Sequence, residues 1–368
     1  MARTITLFLA GDVMTGRGID QALAHPGRPA LHEPAVSDAR HYVALAERAA
    51  GPMRRPVSPA HLWGEALPAL ERARPAARIV NLETSITTSD DWFREKQVHY
   101  RMHPDNIGCL TAAGIDVASV ANNHTLDWGR VGLLDTLATL HHAGIRTVGG
   151  GESLDDARRP AILTLPDGGR VIVVAVGSWT AGIPRDWRAT AHRPGLDLVD
   201  VFNAAEAESV AARLAAEKRP GDVGIVSIHW GGNWGHDVDD AFVRFAHRLV
   251  DGGADIVHGH SSHHVRPIEV YRDRLILYGC GDLIDDYEGI AGDEEFRGDL
   301  GLLYFPVLEP ARGRLVGLRM EPTRMHGFSL RRAGRSDADW LAATLSRTSE
   351  RFGTVVDCDA AGGLMLRM

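Results

Sequence analysis

Residues 4–17 read TITLFLAGDVMTGR, and this stretch decides the fold class. From Thr4 to Ala10 the chain alternates and is rich in β-branched and aromatic residues, then stops at Gly11-Asp12. A buried first strand that delivers a carboxylate to a sheet edge has this pattern. The same construction recurs downstream. Apolar runs at 77–81 and 116–121 give out at Asn81-Leu82-Glu83 and Asn122-Asn123-His124, the run at 223–228 ends on His229-Trp230, and 255–257 runs into HGHSSHH at 258–264. Helices are expected near 131–142, 204–217 and 240–251, with a short strand at 145–148 and a hairpin over 162–176. That rhythm points to an α/β fold with a partly parallel sheet. Residues 275–278 lead into Gly279-Cys280-Gly281-Asp282, and strands near 302–308 and 315–321 precede a last helix near 337–351. The expectation is one domain over residues 1–368, with an insertion at about 20–60 and C-terminal strands plus a helix at about 298–351.

The 368 residues are 44% hydrophobic, enough to bury a sizeable core. A net charge of −8 with no long run of one sign makes nucleic acid an unlikely partner. The apolar stretch at 5–10 is too short for a signal sequence or a membrane span, so no membrane association and a cytoplasmic location are expected. Three cysteines, Cys109, Cys280 and Cys358, show no paired spacing, and free thiols in a reducing compartment are expected. Eighteen histidines are the oddity, many beside Gly, Asn or Asp where strands end.

Hard divalent cations take carboxylate and amide oxygens, borderline ones accept imidazole, and such ligands are gathered from loops at the carboxyl ends of strands. Asp12, Glu83, Asn123, His229 and the 258–264 histidines each follow an apolar strand candidate. A single Asp or His in that position is more often a hydrogen-bonded structural residue. Five in the same context favour a metal site. The ligand mixture suits one divalent ion, with calcium, manganese or magnesium preferred and no organic cofactor.

In order, the segments LAGDVMTGR (9–17), IVNLETS (79–85), VASVANNHTLDWG (117–129), VSIHWGGN (226–233), HGHSSHHV (258–265) and LYGCGD (277–282) resemble the CapA family, the poly-γ-glutamate capsule-biosynthesis type within the calcineurin-like metallophosphoesterase superfamily. The resemblance runs from Leu9 to about Tyr287. It implies a calcineurin-like sandwich, two facing β-sheets flanked by helices, with a metal site at one edge. Carried over position by position, it makes Asp12, Glu83, Asn123, His229 and His260 metal ligands or their close supports, and His124 the acid after the ligating Asn. Departures from the superfamily pattern weaken phosphoester hydrolysis. Met14 stands where a His is usual, Glu83 replaces a bridging Asp, and the last histidine step is stretched from His260 to His263, so one metal is expected rather than a two-metal clamp.

With fewer imidazoles needed as ligands, His124, His229, His263 and His264 remain to move protons, oriented by Asp127, Asp282, Asp285 or Asp286. Two His/Asp pairs on opposite faces of a substrate suit removal and return of a proton at a carbon. The CapA-like lasso-peptide epimerase branch, which inverts a C-terminal residue, is similar. The leading expectation is thus epimerisation of a peptide α-carbon by His124, Asp127, His263, Asp282 and His229. A metal-dependent phosphoester or amide hydrolase is the alternative, and a non-catalytic capsule scaffold a third reading. Arg17, Arg101 and Arg266 are candidates to grip a substrate carboxylate. Trp230, with other loop tryptophans, is a candidate to hold an apolar peptide end.

Overall fold

A computed structural model describes residues 3–166 and 168–368. Two sheets face each other. The first runs, edge to edge, Val356–Cys358, Leu364–Leu366, Arg314–Met325, Leu300–Glu309, Phe8–Val13, Arg78–Leu82, Val117–Ser119 and Arg146–Val148. The last four of these strands are parallel, and Leu300–Glu309 with Arg314–Met325 forms a long antiparallel hairpin. The second runs Leu198–Val199, Arg170–Ser178, Val223–His229, Ile256–His260, Arg274–Leu277 and Ile268–Tyr271, all parallel save the last. The expected 162–176 hairpin is present as Ala161–Thr164 against Arg170–Ser178.

Packing follows from the period of two along each strand, which sends alternate side chains to opposite faces. Leu7, Leu9, Ile79 and Val117 of the first sheet meet Val171, Val173, Ile225, Ile256 and Leu277 of the second in a shared inner core. Phe8, Ala10, Val80 and Leu82 face outward, where the helices Arg40–Ala50, Ala66–Ala73 and Gly129–His142 cover them. The outer face of the second sheet is covered by Ala204–Glu217 and Asp240–Asp251. This is the expected sandwich with helices outside.

One irregularity in the first strand matters most. Ala10 pairs with Val80 and Asp12 with Asn81, so Gly11 is an extra residue in the ladder. A bulge of this kind shifts every later side chain to the other face. Val13 therefore joins Phe8 and Ala10 in the outer core, and Asp12 turns inward beside Asn81. The Asp282–Ile284 strand lies parallel on the other side and sets Asp282 level with Asp12. Unregistered in the sequence, this short strand brings a second carboxylate to the same edge.

The 20–60 segment is less of an appendage than expected. It carries the Arg40–Ala50 helix, and its Tyr42 and Glu33 both reach the Arg17 guanidinium. Among the described residues no helix is long and apolar enough to cross a membrane.

A Cβ at position 11 would lie 1.9 Å from the Gly281 carbonyl oxygen. Backbone against backbone cannot relieve that overlap without moving the bulge. Gly11→Ala is expected to cost about 2–4 kcal/mol, read as a lower midpoint in a urea titration. Gly317→Ala, with open space around it, serves as the control.

Candidate metal centre

Parallel strands from both sheets end at one edge and deliver their terminal side chains into the gap between the layers. Asp12 comes from Phe8–Val13, Glu83 follows Arg78–Leu82, and the 122–127 turn follows Val117–Ser119. From the other layer, His229 and His260 end adjacent strands and are direct register partners. The ligand atoms of Asp12, His229 and His260 all lie within 4.8 Å of one another, and all three residues are fully buried.

Hydrogen bonding fixes which imidazole nitrogens are bare. His258 Nε2 lies 2.8 Å from the Ala10 carbonyl and must donate to it, leaving Nδ1 without a proton. Ser227 then donates its hydroxyl to His258 Nδ1 (3.3 Å) and accepts from His260 Nε2 (2.8 Å). His229 Nε2 donates to Asn123 Oδ1 at 3.0 Å. On this arrangement the Nδ1 atoms of His229 and His260 face each other at 2.8 Å, close enough to share a proton or to converge on a cation. Beside them, Asp12 Oδ1 accepts from Asn81 Nδ2 at 2.7 Å, and Asp12 Oδ2 from the Ser261 N–H at 3.2 Å. Ser261 holds φ +108°, a strained conformation for a residue with a Cβ, to aim that N–H. Burial, with Asp282 next to it, pushes the Asp12 carboxyl up to about 7, and burial with Asp12 pushes Glu83 up as well. The donor set fits a divalent cation: two imidazole nitrogens and buried carboxylates with no fixed counter-charge between them.

Around this cluster stand two His/Asp pairs. His124 Nδ1 donates to Asp127 Oδ2 at 2.6 Å, and its Nε2 faces Glu83 Oε1 at 3.8 Å. Burial and then nearby Lys96 keep this imidazole well below its usual pKa. His263 Nδ1 lies 2.9 Å from Asp282 Oδ2. Burial opposes its protonation, but the Asp282 charge and hydrogen bond overcome that and raise it to about 9. The Tyr100 ring lies tilted against His124 (4.0 Å between centroids), the Tyr287 ring meets His263 edge-on (5.5 Å), and the two hydroxyls join at 2.5 Å. A cavity of about 620 Å³ opens there, lined by Arg17, Tyr100, Trp234, His263, Asp282 and Tyr287 among others.

Several expectations need correction. His229, expected to move protons, is fully buried inside the ligand cluster. Asn123 Oδ1 and Glu83 Oε1 lie 3.0 and 3.9 Å from His229 Nε2, beside the cluster. Arg101 does not reach the cavity: its guanidinium is spent on the Ser89 and Arg28 carbonyls and Asp90, and stacks on Trp128. Arg266 donates to the Gly232 and Trp234 carbonyls and so braces the loop after His229. Trp230 is a core residue, stacked on Phe242 and Tyr278 with its N–H on the Tyr278 carbonyl. His264 is buried, and burial with His236 beside it lowers it to about 3. Asp286 pairs with Arg17 rather than with a histidine.

Lys96 escaped the sequence reading. Its ammonium lies 2.5 Å from Asp127 Oδ1 and 3.2 Å from His124 Nδ1, and contacts the Asn123 carbonyl. The signal was compositional: Lys96 and Lys218 are the chain's lysines, every other basic residue being arginine.

A family model described as bacterial capsule synthesis protein PGA_cap matches residues 6–287. The chain belongs to this family. The PGA_cap chain is 51% identical over 350 residues to a probable polyglutamine synthesis accessory protein of Mycobacterium tuberculosis, covering 95% of this chain and 92% of that one. It is 28% identical over 207 residues to the PGA biosynthesis protein CapA of Bacillus subtilis, covering 56% and 52% of the two chains. Among solved structures, a novel phosphatase of Mycoplasma pneumoniae matches at 10% identity and a TM-score of 0.46, covering 88% of this chain and 94% of that one. A 5'-nucleotidase precursor of Thermus thermophilus matches at 14% identity and a TM-score of 0.48, covering 94% and 59%. Likeness at that level decides nothing about activity.

Removing a ligand should abolish ion binding without unfolding the sandwich. Asp12→Asn is expected to weaken manganese(II) binding by about 100-fold, measured by isothermal titration calorimetry, with circular dichroism unchanged. Arg101→Lys should leave that affinity within about twofold, since this side chain lies outside the ligand network.

Proposed function

We propose that this PGA_cap chain is a metal-dependent hydrolase that cleaves an amide bond in a polyglutamyl-type polymer. The observation that carries the reading is the placement of two His/Asp pairs, His124 with Asp127 and His263 with Asp282, around the Asp12–His229–His260 cluster, with His263 and Asp282 lining the cavity. The names of the relatives, accessory to polyglutamine synthesis or to PGA biosynthesis, supply the substrate class.

A divalent ion held by Asp12, His229 and His260, with Glu83 at its border, would supply Lewis-acid polarisation of the scissile carbonyl. The remaining work belongs to the side chains. His124, fixed by Asp127 with its bare Nε2 towards the centre, takes a proton from the attacking water as the new C–O bond forms. His263, charged through Asp282, delivers a proton to the departing nitrogen as the C–N bond breaks. Tyr100 and Tyr287 hold the two rings apart and wall the cavity between them.

Phosphoester cleavage is the neighbouring reading for the same centre. Asp282, Asp285, Glu288, Asp293, Glu294 and Asp299 outnumber Arg17, Arg297 and Arg324 in its lining. Arg17 is committed to Asp286 and Glu33, and Arg297 to Asp299 and Asp337. A phosphate dianion and the free carboxylates of a polyglutamyl chain would meet the same surplus negative charge, so this lining selects neither, and the amide reading rests on the two His/Asp pairs and the names of the relatives. Epimerisation of a peptide α-carbon is the second reading, favoured by the same two His/Asp pairs. It is weaker because Arg17, Arg101 and Arg266, the candidates to hold a terminal carboxylate, are engaged elsewhere.

The test is incubation of manganese-loaded protein with γ-linked glutamate oligomers in heavy water. Release of new amine with no deuterium at any α-carbon is the expected result, and His124→Ala should slow it by about 10²–10⁴-fold. Deuterium at an α-carbon of an intact oligomer would replace the hydrolase with the epimerase. Turnover of a chromogenic phosphate ester alone would replace it with a phosphoesterase.

A further inference from the structure

Lys96 stands out in a chain that otherwise uses arginine. Arginine presents a planar fork suited to one carboxylate, whereas an ammonium is a compact point charge with three divergent donors. The pocket around Lys96 Nζ is built for the second shape. The Asn123 carbonyl, Asp127 Oδ1 and the edge of the His124 ring converge on it from different directions. The side chain is mostly buried, with 14% of its surface exposed. Burial pulls the Lys96 pKa down while Asp127 and Glu83 push it back up, and the ammonium is close-packed against the turn that carries Asn123 and His124.

We infer that Lys96 is a built-in cation of the centre, an ammonium that sits behind His124, shares the Asp127 carboxylate with it and adds one positive charge beside the site of the divalent ion. This inference rests on the reading of Asp12, His229 and His260 as a metal centre. Three observations join in it. Asp127 bridges Lys96 and His124 with its two oxygens, so the ammonium and the imidazole share one carboxylate. The His124 ring separates Lys96 from Glu83 by only two short contacts, 3.2 and 3.8 Å. Lys96 and Glu83 also influence each other's ionisation through space. Lys96 is thus a positioning residue. It compensates the surplus carboxylate charge on the His124 side and keeps the Asp127 carboxylate available to hold the Nδ1 proton of His124.

A purely structural lysine and a built-in cation differ in the sign of one measurement. Removing a structural support loosens the ligands and weakens metal binding, whereas removing a neighbouring positive charge strengthens it. Manganese(II) chloride is titrated into the intact chain and two variants by calorimetry. The wild type should bind one ion. Lys96→Met should bind manganese about tenfold more tightly, and Asp127→Asn, which leaves the ammonium uncompensated, about tenfold more weakly. Asp127→Asn keeps the shape of the residue, so its result stands even where Lys96→Met fails to fold. Histidine ¹⁵N spectra of the metal-free protein give an activity-independent readout: the Nδ1-protonated form of His124 should be lost in Asp127→Asn. Weaker binding in folded Lys96→Met, or unchanged affinity in Asp127→Asn, would each overturn the inference while leaving the metal centre in place. A wild type that binds no manganese would overturn both.

Discussion

The Nδ1 atoms of His229 and His260, 2.8 Å apart with the Asp12 carboxylate beside them, form the contact around which the fold builds its candidate metal site. Much of the local architecture serves to impose it. The chain Ala10 carbonyl, His258, Ser227, His260 fixes one lone pair, and Asn123 on His229 fixes the other. Neither chain would hold if the strands slipped by one residue, since the period of two would turn His229 and His260 out of the gap. The register of Val223–His229 on Ile256–His260 is secured by their fully buried apolar residues on both faces. Hydrophobic packing therefore sets the protonation pattern of the centre indirectly, through register.

The bulge at Gly11 has the same standing on the other sheet. A regular strand would present Asp12 to the helices along with Phe8 and Ala10, where an unpaired carboxylate is costly. One extra residue turns it to the inner face, level with Asn81 and Asp282. Glycine is required because the Gly281 carbonyl crosses directly over that position. The reading LAGD thus carries more than a strand followed by an acid. It encodes the local defect that makes the acid usable.

Much of this was legible in the sequence because strand ends are marked by abrupt changes from apolar to polar residues, and five such changes converge. Asp12, Glu83, Asn123, His229 and His260 do meet, and so do His124 with Asp127 and His263 with Asp282. Hidden from the sequence were features that depend on long-range register. The Asp282–Ile284 strand is three residues long and has no periodicity of its own. Glu33 and Tyr42 come from a weakly patterned segment, yet they close around Arg17. Which histidines ligate and which move protons also depends on hydrogen-bond partners hundreds of positions away, as with His258 on Ala10.

The failed substrate-binding candidates share a cause. Arg101, Trp230 and Arg266 sit beside motif residues in sequence, and adjacency in sequence is a poor guide to adjacency in a cavity. A loop that holds a ligand to a fraction of an ångström needs its own supports, and neighbouring side chains are the nearest ones available. Arg266 on the Gly232 and Trp234 carbonyls and Trp230 on the Tyr278 carbonyl are such supports. Among the groups that do face the cavity are Tyr100 before the His124 turn, Trp234 after His229, and Tyr287 after Asp282. Trp234 and Tyr287 each lie five residues beyond His229 or Asp282, where the chain has left the strand end and turned towards the opening. Specificity in this fold therefore belongs to the second turn of each loop, and chemistry to the first.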